Sequence, residues 1–248
     1  MMRFKLKFRT ATALSLLLNG IEEERSGFHC SLMYHSILNK KDNISSIFEV
    51  SFEQFANQIS ILKDKEIISF LDDGDGISLT FDDGYLDNYT IAAPFLFENN
   101  IPFTVFMVTD FIDSSEKNYL NKEHLKELSL NPLMTLGTHG KTHRPLASLP
   151  LLDAKEEMRI SKLELEDIIG KKVSTMSFPH GSFNQELLDI AQELGYEKCG
   201  TSIPCTNKVP NSGIQVNRLC IYSCETNLSF SQKINGQWDW IAKRSVSK

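Results

Sequence analysis

Two neighbouring carboxylates, Asp82 and Asp83, follow the apolar run 77–81 and precede Gly84. Ile, Leu, Thr and Phe favour a strand, and a glycine lets the chain turn sharply where a Cβ would obstruct. Acids at the end of a buried strand are costly to bury unless a cation sits on them. Further along, Thr138-His139-Gly140-Lys141-Thr142-His143-Arg144-Pro145 places two imidazoles four residues apart. A helical turn there puts both rings on one face, able to grip one ion. Two histidines and one carboxylate form a facial ligand set that leaves metal positions open for water and substrate. Alone, such a histidine pair more often reflects structure or accident; beside a strand-terminal Asp-Asp-Gly, the metal reading prevails.

The elements that must carry these residues alternate between strand and helix. A strand over 28–34 ends at His35. Ser51 caps a helix whose apolar residues Phe52, Phe55, Ile59 and Leu62 recur at helical spacing. A short strand is expected over 67–71, and the acidic, glycine-rich stretch 72–76 reads as a solvated turn. The strand 77–81 is followed by a helix over 88–99, a strand over 103–108 and a helix over 121–130. The strand 133–138 ends at His139. A long amphipathic helix over 151–169 is stopped by Gly170. A strand over 173–178 meets Pro179-His180-Gly181, Asn184 caps a helix to Leu194, and strands are expected over 196–201 and 216–222. The tail after Ser223 is weakly periodic, with Trp238 and Trp240 packing on the body. This alternation argues a parallel α/β fold. His35, Asp82, Asp83, His139 and the turn 178–181 all fall at C-terminal strand ends, which meet on one face of a (β/α) barrel. A closed eight-stranded barrel, a distorted seven-stranded one and an open sheet all satisfy that placement.

At 248 residues the chain suits one α/β domain, with an N-terminal helix and linker over 1–27 and the main domain over 28–248. A net charge of −6 argues against nucleic acid as a partner, since no basic excess is available to neutralise phosphates. Five cysteines with no CxxC spacing argue against a disulfide framework or a structural zinc site; Cys220 and Cys224 read as ordinary thiols. Arg3, Lys5, Lys7 and Arg9 precede a largely apolar run over 11–18 in the manner of a signal peptide, but no small-x-small cleavage site follows. A packed amphipathic helix is the favoured reading. The expected location is the cytoplasm, with an exported form as the alternative. No stretch approaches the ~20 apolar residues of a transmembrane span, so no stable transmembrane anchor is expected. Oligomeric state is not legible.

Thr80-Phe81-Asp82-Asp83-Gly84, His139-x-x-x-His143 and Phe178-Pro179-His180-Gly181-Ser182-Phe183-Asn184 resemble the first three motifs of the polysaccharide deacetylase family. This is the NodB-homology fold, carbohydrate esterase family 4, and the resemblance extends over about 31–222. It implies a single-domain, distorted (β/α) barrel of seven strands. It also implies a metal-dependent hydrolase removing an N-acyl group, most often acetyl, from an amino sugar in glycan or glycolipid metabolism. By position, Asp83, His139 and His143 are the metal ligands and Asp82 the general base acting on a metal-bound water. The cofactor is one divalent ion, zinc foremost, with cobalt, nickel and manganese as alternatives. The partner is an N-acylated amino sugar, carried on a glycan, a glycolipid or a nucleotide.

The chain departs from the family pattern in two places. No histidine follows His180 to serve as the acid that protonates the leaving amine. A subgroup carries a Tyr-His motif ahead of the first acidic motif; Met33-Tyr34-His35 resembles it, making His35 the expected acid. In the third motif, Ser177 and Phe178 stand where many members carry an arginine that holds the base, and His180 replaces a tyrosine. Pro179, His180 and Gly181 keep a backbone role at the oxyanion, because any non-proline residue offers an N–H. Arg218 is the candidate to supply the missing cation to Asp82, a surface salt bridge being its other reading. Two competing functions remain. One is a silent carbohydrate-binding or regulatory protein on this scaffold; the other is an N-deformylase of a nucleotide- or lipid-linked amino sugar.

Overall fold

The computed structural model describes residues 2–19, 27–39, 44–114, 118–211 and 213–242. The charged linker expected before residue 27 lies largely outside them. In chain order the elements are α1 (Met2–Asn19), β1 (Phe28–Tyr34), β2 (Ser36–Leu38), β3 (Glu49–Ser51), α2 (Phe52–Ile61) and β4 (Gly76–Phe81). They continue with α3 (Ala93–Glu98), β5 (Phe103–Met107), α4 (Lys122–Ser129), β6 (Met134–Thr138), α5 (Leu151–Ile169) and β7 (Thr175–Ser177). Then follow α6 (Gln185–Glu193), β8 (Lys198–Gly200), β9 (Asn207–Lys208), β10 (Gln215–Val216), β11 (Arg218–Cys220) and α7 (Asn227–Ile234).

The main sheet runs β10-β8-β7-β6-β5-β4-β1-β11, all neighbours parallel, with the short β9 antiparallel on β1. β10 pairs with β8 at Val216↔Gly200, and β11, two residues later, pairs with β1 at Ser31↔Arg218. One extended segment thus joins the two ends of the path, and the sheet is a nearly closed parallel barrel of about eight strands. Seven were expected; the last stave counts twice because Asn217 interrupts it. The Asn217 N–H donates to Asn207 Oδ1 at 2.7 Å, and its carbonyl accepts from Asn207 Nδ2 at 2.9 Å. A side-chain amide has taken the place of the ladder at that residue.

Strands buried on both faces explain the continuous apolar runs: β5 is buried at every position, and β4 at all but Gly76. The expected strand over 67–71 is absent. Ile67 makes a single bridge to Ile77, and Asp72 turns the chain by accepting the Ser69 N–H at 2.9 Å. The acidic turn is exposed over 72–75, as expected of a solvated turn, and from it Asp73 pairs with buried Lys198. The helix expected over 88–99 opens with a π-helical turn, Asn88–Ala92, before α3. α7 was not anticipated: Thr226 caps it, but its buried face carries Ser229, Gln232 and Lys233, which breaks the apolar period. Lys233 is held by Glu225 at 2.9 Å and the Cys220 carbonyl at 2.7 Å, among the rings of Phe8, Tyr222 and Trp238. All five cysteines are free thiols.

His29, buried in β1, sits 2.7 Å from Ser78 Oγ. Burial, aided by Lys198, lowers its pKa from 6.5 to about 4. The unfolded chain therefore binds more protons between those values, so this contribution to stability is complete above 6.5 and falls away as the pH drops towards 4. The loss amounts to roughly 3 kcal/mol at most. Denaturant unfolding across that pH range should give a flatter profile for His29→Gln than for the parent. Parallel profiles would show that His29 is not the titrating group.

Candidate active site

His35, Asp82, Asp83, His139 and the turn 178–181 stand where strands run out, whereas Arg218 opens β11 and His143 lies in the loop after β6. Asp82 continues β4, its N–H donating to the Tyr34 carbonyl at 3.0 Å. His139 continues β6 by donating to Met107 O at 2.7 Å, and Phe178 continues β7 by donating to Gly200 O at 3.0 Å. These ladder bonds fix the backbones, and the closed sheet aims the side chains at one end of the barrel.

Arg218 is fully buried and grips Asp82 with two parallel bonds, Nη1 to Oδ1 at 2.6 Å and Nη2 to Oδ2 at 2.8 Å. Its Nε donates to Thr201 O at 3.1 Å, and Nη1 also reaches Thr80 Oγ1 at 3.2 Å. The guanidinium fork matches a carboxylate in a way an ammonium would not. Burial opposes ionisation of Asp82, but the Arg218 charge, then His139, hold its carboxyl far below the usual range. The surface salt bridge considered for Arg218 is thereby excluded. Room for the fork depends on Gly200, where a Cβ would lie 2.6 Å from Arg218 Nε.

Asp83, His139 and His143 form a cluster whose ligand atoms all lie within 4.8 Å of one another. Asp83 Oδ1 is 3.6 Å from His139 Nε2 and 3.2 Å from His143 Nε2, yet it is buried with no hydrogen-bond donor. A buried carboxylate oxygen without a donor, facing two imidazole nitrogens, is the chemistry of a divalent-cation site. The tautomer agrees. His139 Nδ1 lies 3.0 Å from the Ser177 carbonyl, to which it can only donate, leaving Nε2 with its lone pair towards the cluster. Burial also lowers the His139 pKa, against the pull of Asp82 and Asp83, which favours the neutral ligand form. The residues present therefore fit one divalent cation. The turn that brings His143 in is not helical: Gly140 (φ 73°) and His143 (φ 62°) are both left-handed. Glu157 of α5 shapes it instead, accepting from the N–H groups of Lys141 (3.0 Å) and Thr142 (2.8 Å), from Thr142 Oγ1 (2.7 Å) and from Arg144 (2.9 Å).

His35 is half-buried, its ring 4.6 Å from that of Phe48, and its Nδ1 has no hydrogen-bond partner. Burial lowers its pKa, while Asp82 and Asp83 favour the protonated ring. The backbone around it is fixed by the residues after Asp83. Asn88 Nδ2 donates to His35 O at 2.8 Å, and Asp87 accepts from Ser36 Oγ at 2.5 Å and Ile37 N–H at 3.0 Å. His180 is exposed and outside the ligand cluster, its Nε2 donating to the His143 carbonyl at 3.1 Å. In the turn 179–181, proline has no N–H and the Gly181 N–H is spent on Phe178 O at 2.9 Å, so His180 holds the turn's remaining amide. Glu157, Ser177, Asp87 and Asn88 were missed from sequence. Glu157 alone left a signal, an acid at helical spacing among the buried residues Ala154, Met158, Ser161 and Leu165.

His35, Asp82, Asp83, His139, His143 and His180 all line one cavity of about 640 Å³. The apolar side chains Phe4, Phe8, Phe48, Leu219, Tyr222 and Trp238 line it as well. The parallel barrel thus carries at its C-terminal face an Asp-His-His cluster whose residues fit a divalent cation, beside a second carboxylate gripped by arginine. The family model for polysaccharide deacetylase matches residues 72–199, and the chain belongs to that family. A poly-beta-1,6-N-acetyl-D-glucosamine N-deacetylase of Staphylococcus aureus (strain MRSA252) is 27% identical over 233 residues, 84% of this chain and 78% of that protein. The protein YxkH of Bacillus subtilis (strain 168) is 31% identical over 128 residues, which is 52% of this chain and only 45% of that relative. Among solved structures, Streptococcus pyogenes deacetylase PplD in complex with acetate has a TM-score of 0.74 at 22% identity, covering 85% of this chain and 99% of that one. The structure of IcaB from Ammonifex degensii has a TM-score of 0.73 at 22% identity, covering 87% and 98%. At such identities the two structures speak for the fold.

Arg218→Met leaves Asp82 buried without its cation and should cost roughly 3–5 kcal/mol in denaturant unfolding. Adding Asp82→Asn should return most of that loss, because no unpaired charge is then left inside. Equal destabilisation of the single and double variants would mean that Arg218 acts through packing rather than through its charge.

Proposed function

We propose that the protein is a metal-dependent N-deacetylase of an amino sugar in a glycan, with an N-acetylglucosamine polymer the first substrate to test. The observation that carries this reading is the division between the two acids. Asp83 turns a donorless oxygen to two histidines, while Asp82, one residue away, is held ionised by Arg218. Family membership and the Staphylococcus aureus relative support the substrate class.

Asp83, His139 and His143 would hold the cation, which when bound supplies a Lewis acid and a water acidified from 15.7 towards ~7. Asp82 takes the proton of the attacking water as the new C–O bond forms at the acyl carbon. Arg218 keeps Asp82 oriented and ionised for that step. The His180 amide is the donor available to the developing oxyanion. As the C–N bond breaks, His35 delivers a proton to the leaving nitrogen, giving free amine and acetate. Burial presses His35 towards its neutral form and the two carboxylates press the other way, so the acid role draws on Asp82 and Asp83 as well.

Acetate release from N-acetylglucosamine polymers and oligomers should be abolished by a chelator and restored by zinc or cobalt. Asp82→Asn should keep a full complement of metal while turnover falls about 10²–10⁴-fold. His35→Ala should lower kcat with little change in metal content. Full activity in Asp82→Asn would remove the base assignment, and an unchanged rate in His35→Ala would remove the acid.

A further inference from the structure

α1 has two faces with different partners. Its inner face packs on the body and on the cavity: Phe4 meets Tyr222 at 4.8 Å, Phe8 meets Trp238 at 5.0 Å, and Trp240 Nε1 donates to Ser15 Oγ at 2.9 Å. Phe4, Lys7 and Phe8 line the same cavity as the Asp-His-His cluster. The outer face is open. Leu6 is 68% exposed and Leu17 83%, and with exposed Ala13, and Thr10 whose hydroxyl donates to the Leu6 carbonyl, they follow the i, i+4, i+7, i+11 spacing of one helical stripe. Leu16 adds to its edge. Exposed Lys5 and Arg9 lie on one flank of the stripe and Lys7 on the other, and residues 2–19 contain no acid, in a chain whose net charge is −6.

We propose that α1 is an interfacial helix that docks the enzyme on an anionic lipid surface. A scattered exposed leucine needs no explanation, but an apolar stripe bordered by cations does. Leucines enter the acyl boundary while lysine and arginine stems extend sideways to the headgroups, the arrangement of helices that lie in a membrane plane. Charge complementarity selects anionic lipid, because the positive charge is concentrated on this helix against the sign of the whole chain. Among the described residues no helix is long and apolar enough to cross a membrane, so α1 lies on the surface rather than spanning it. Docking by the outer face sets the cavity, whose wall is the inner face, beside the lipid. This proposal is independent of the reaction assigned to the site.

The test is co-sedimentation of the full chain with vesicles of phosphatidylglycerol and phosphatidylcholine in equal parts, against phosphatidylcholine alone. The protein should partition to the anionic vesicles and be released by raised salt. Lys5→Gln with Arg9→Gln should weaken partitioning by roughly 30-fold, at about 1 kcal/mol per charge. Leu6→Ser with Leu17→Ser should also release it, with the thermal midpoint unchanged because both side chains are exposed. Absence of binding to anionic vesicles, or equal binding by the parent and both variants, overturns the proposal. A dimer in light scattering that Leu6→Ser with Leu17→Ser dissolves, without vesicle binding by the parent, would overturn it too, assigning the face to a second copy of the chain.

Discussion

Asp82 is held ionised inside the barrel chiefly by Arg218, buried with it, and much of the surrounding structure serves that pair. A carboxylate and a guanidinium removed from water each carry a desolvation cost of several kcal/mol, offset only by close geometry and by partners for the remaining donors. Thr201 O and Thr80 Oγ1 take the spare guanidinium protons, and the Phe106 ring lies 5.2 Å from its carbon. Gly200 leaves the space on the adjacent stave. Ser177 Oγ lies 3.4 Å from Asp82 Oδ1 and also meets His139 Nδ1, so the pair and the ligand cluster share a contact. Asp83 is left outside this arrangement, which is why neighbouring acids of one strand face different chemistry.

The same site concentrates backbone strain. Among the described residues, five non-glycine positions have left-handed φ, and Asp83 (74°), His143 (62°) and His180 (57°) are three of them. Asp and His tolerate that region better than branched side chains, yet the conformation persists only where the surroundings over-determine it. At His143 the determinant is Glu157, whose carboxylate collects four donors from the preceding and following residues and has its pKa lowered by them against the effect of burial. A helix carboxylate thus does for the histidine pair what a helical turn was expected to do.

The legible parts of the chain were those written in local pattern. Runs rich in strand-forming residues and ending in His35, Asp82, His139 and Phe178 located four staves and their functional ends, because strands buried on both faces carry few charged residues along their length. α5 was bounded correctly by its period and by Gly170, which sits at φ 65° as its C-cap. What failed depended on distant partners. The break at Asn217 requires Asn207, and α7 hides behind a buried lysine whose neutralising glutamate and aromatic surround lie elsewhere in the fold. The four donors to Glu157 lie 13 to 16 residues before it, and no spacing rule reaches that far.

Closure of the sheet bears on the position of His35 in the chain. β1 is flanked by β4 on one side, in register at Tyr34↔Phe81, and by β11 on the other, at Met33↔Cys220. His35, one residue beyond that register, therefore projects between the stave that ends in Asp82 and the stave that carries Arg218. In an open sheet of this strand order, β11 could be lost from the edge without changing what lies beside β4. In a closed one the first and last staves are neighbours, and an imidazole contributed by either overlooks the same cavity. Position along the chain is thereby uncoupled from position in the site, and the lack of a histidine after His180 does not deprive the cavity of one.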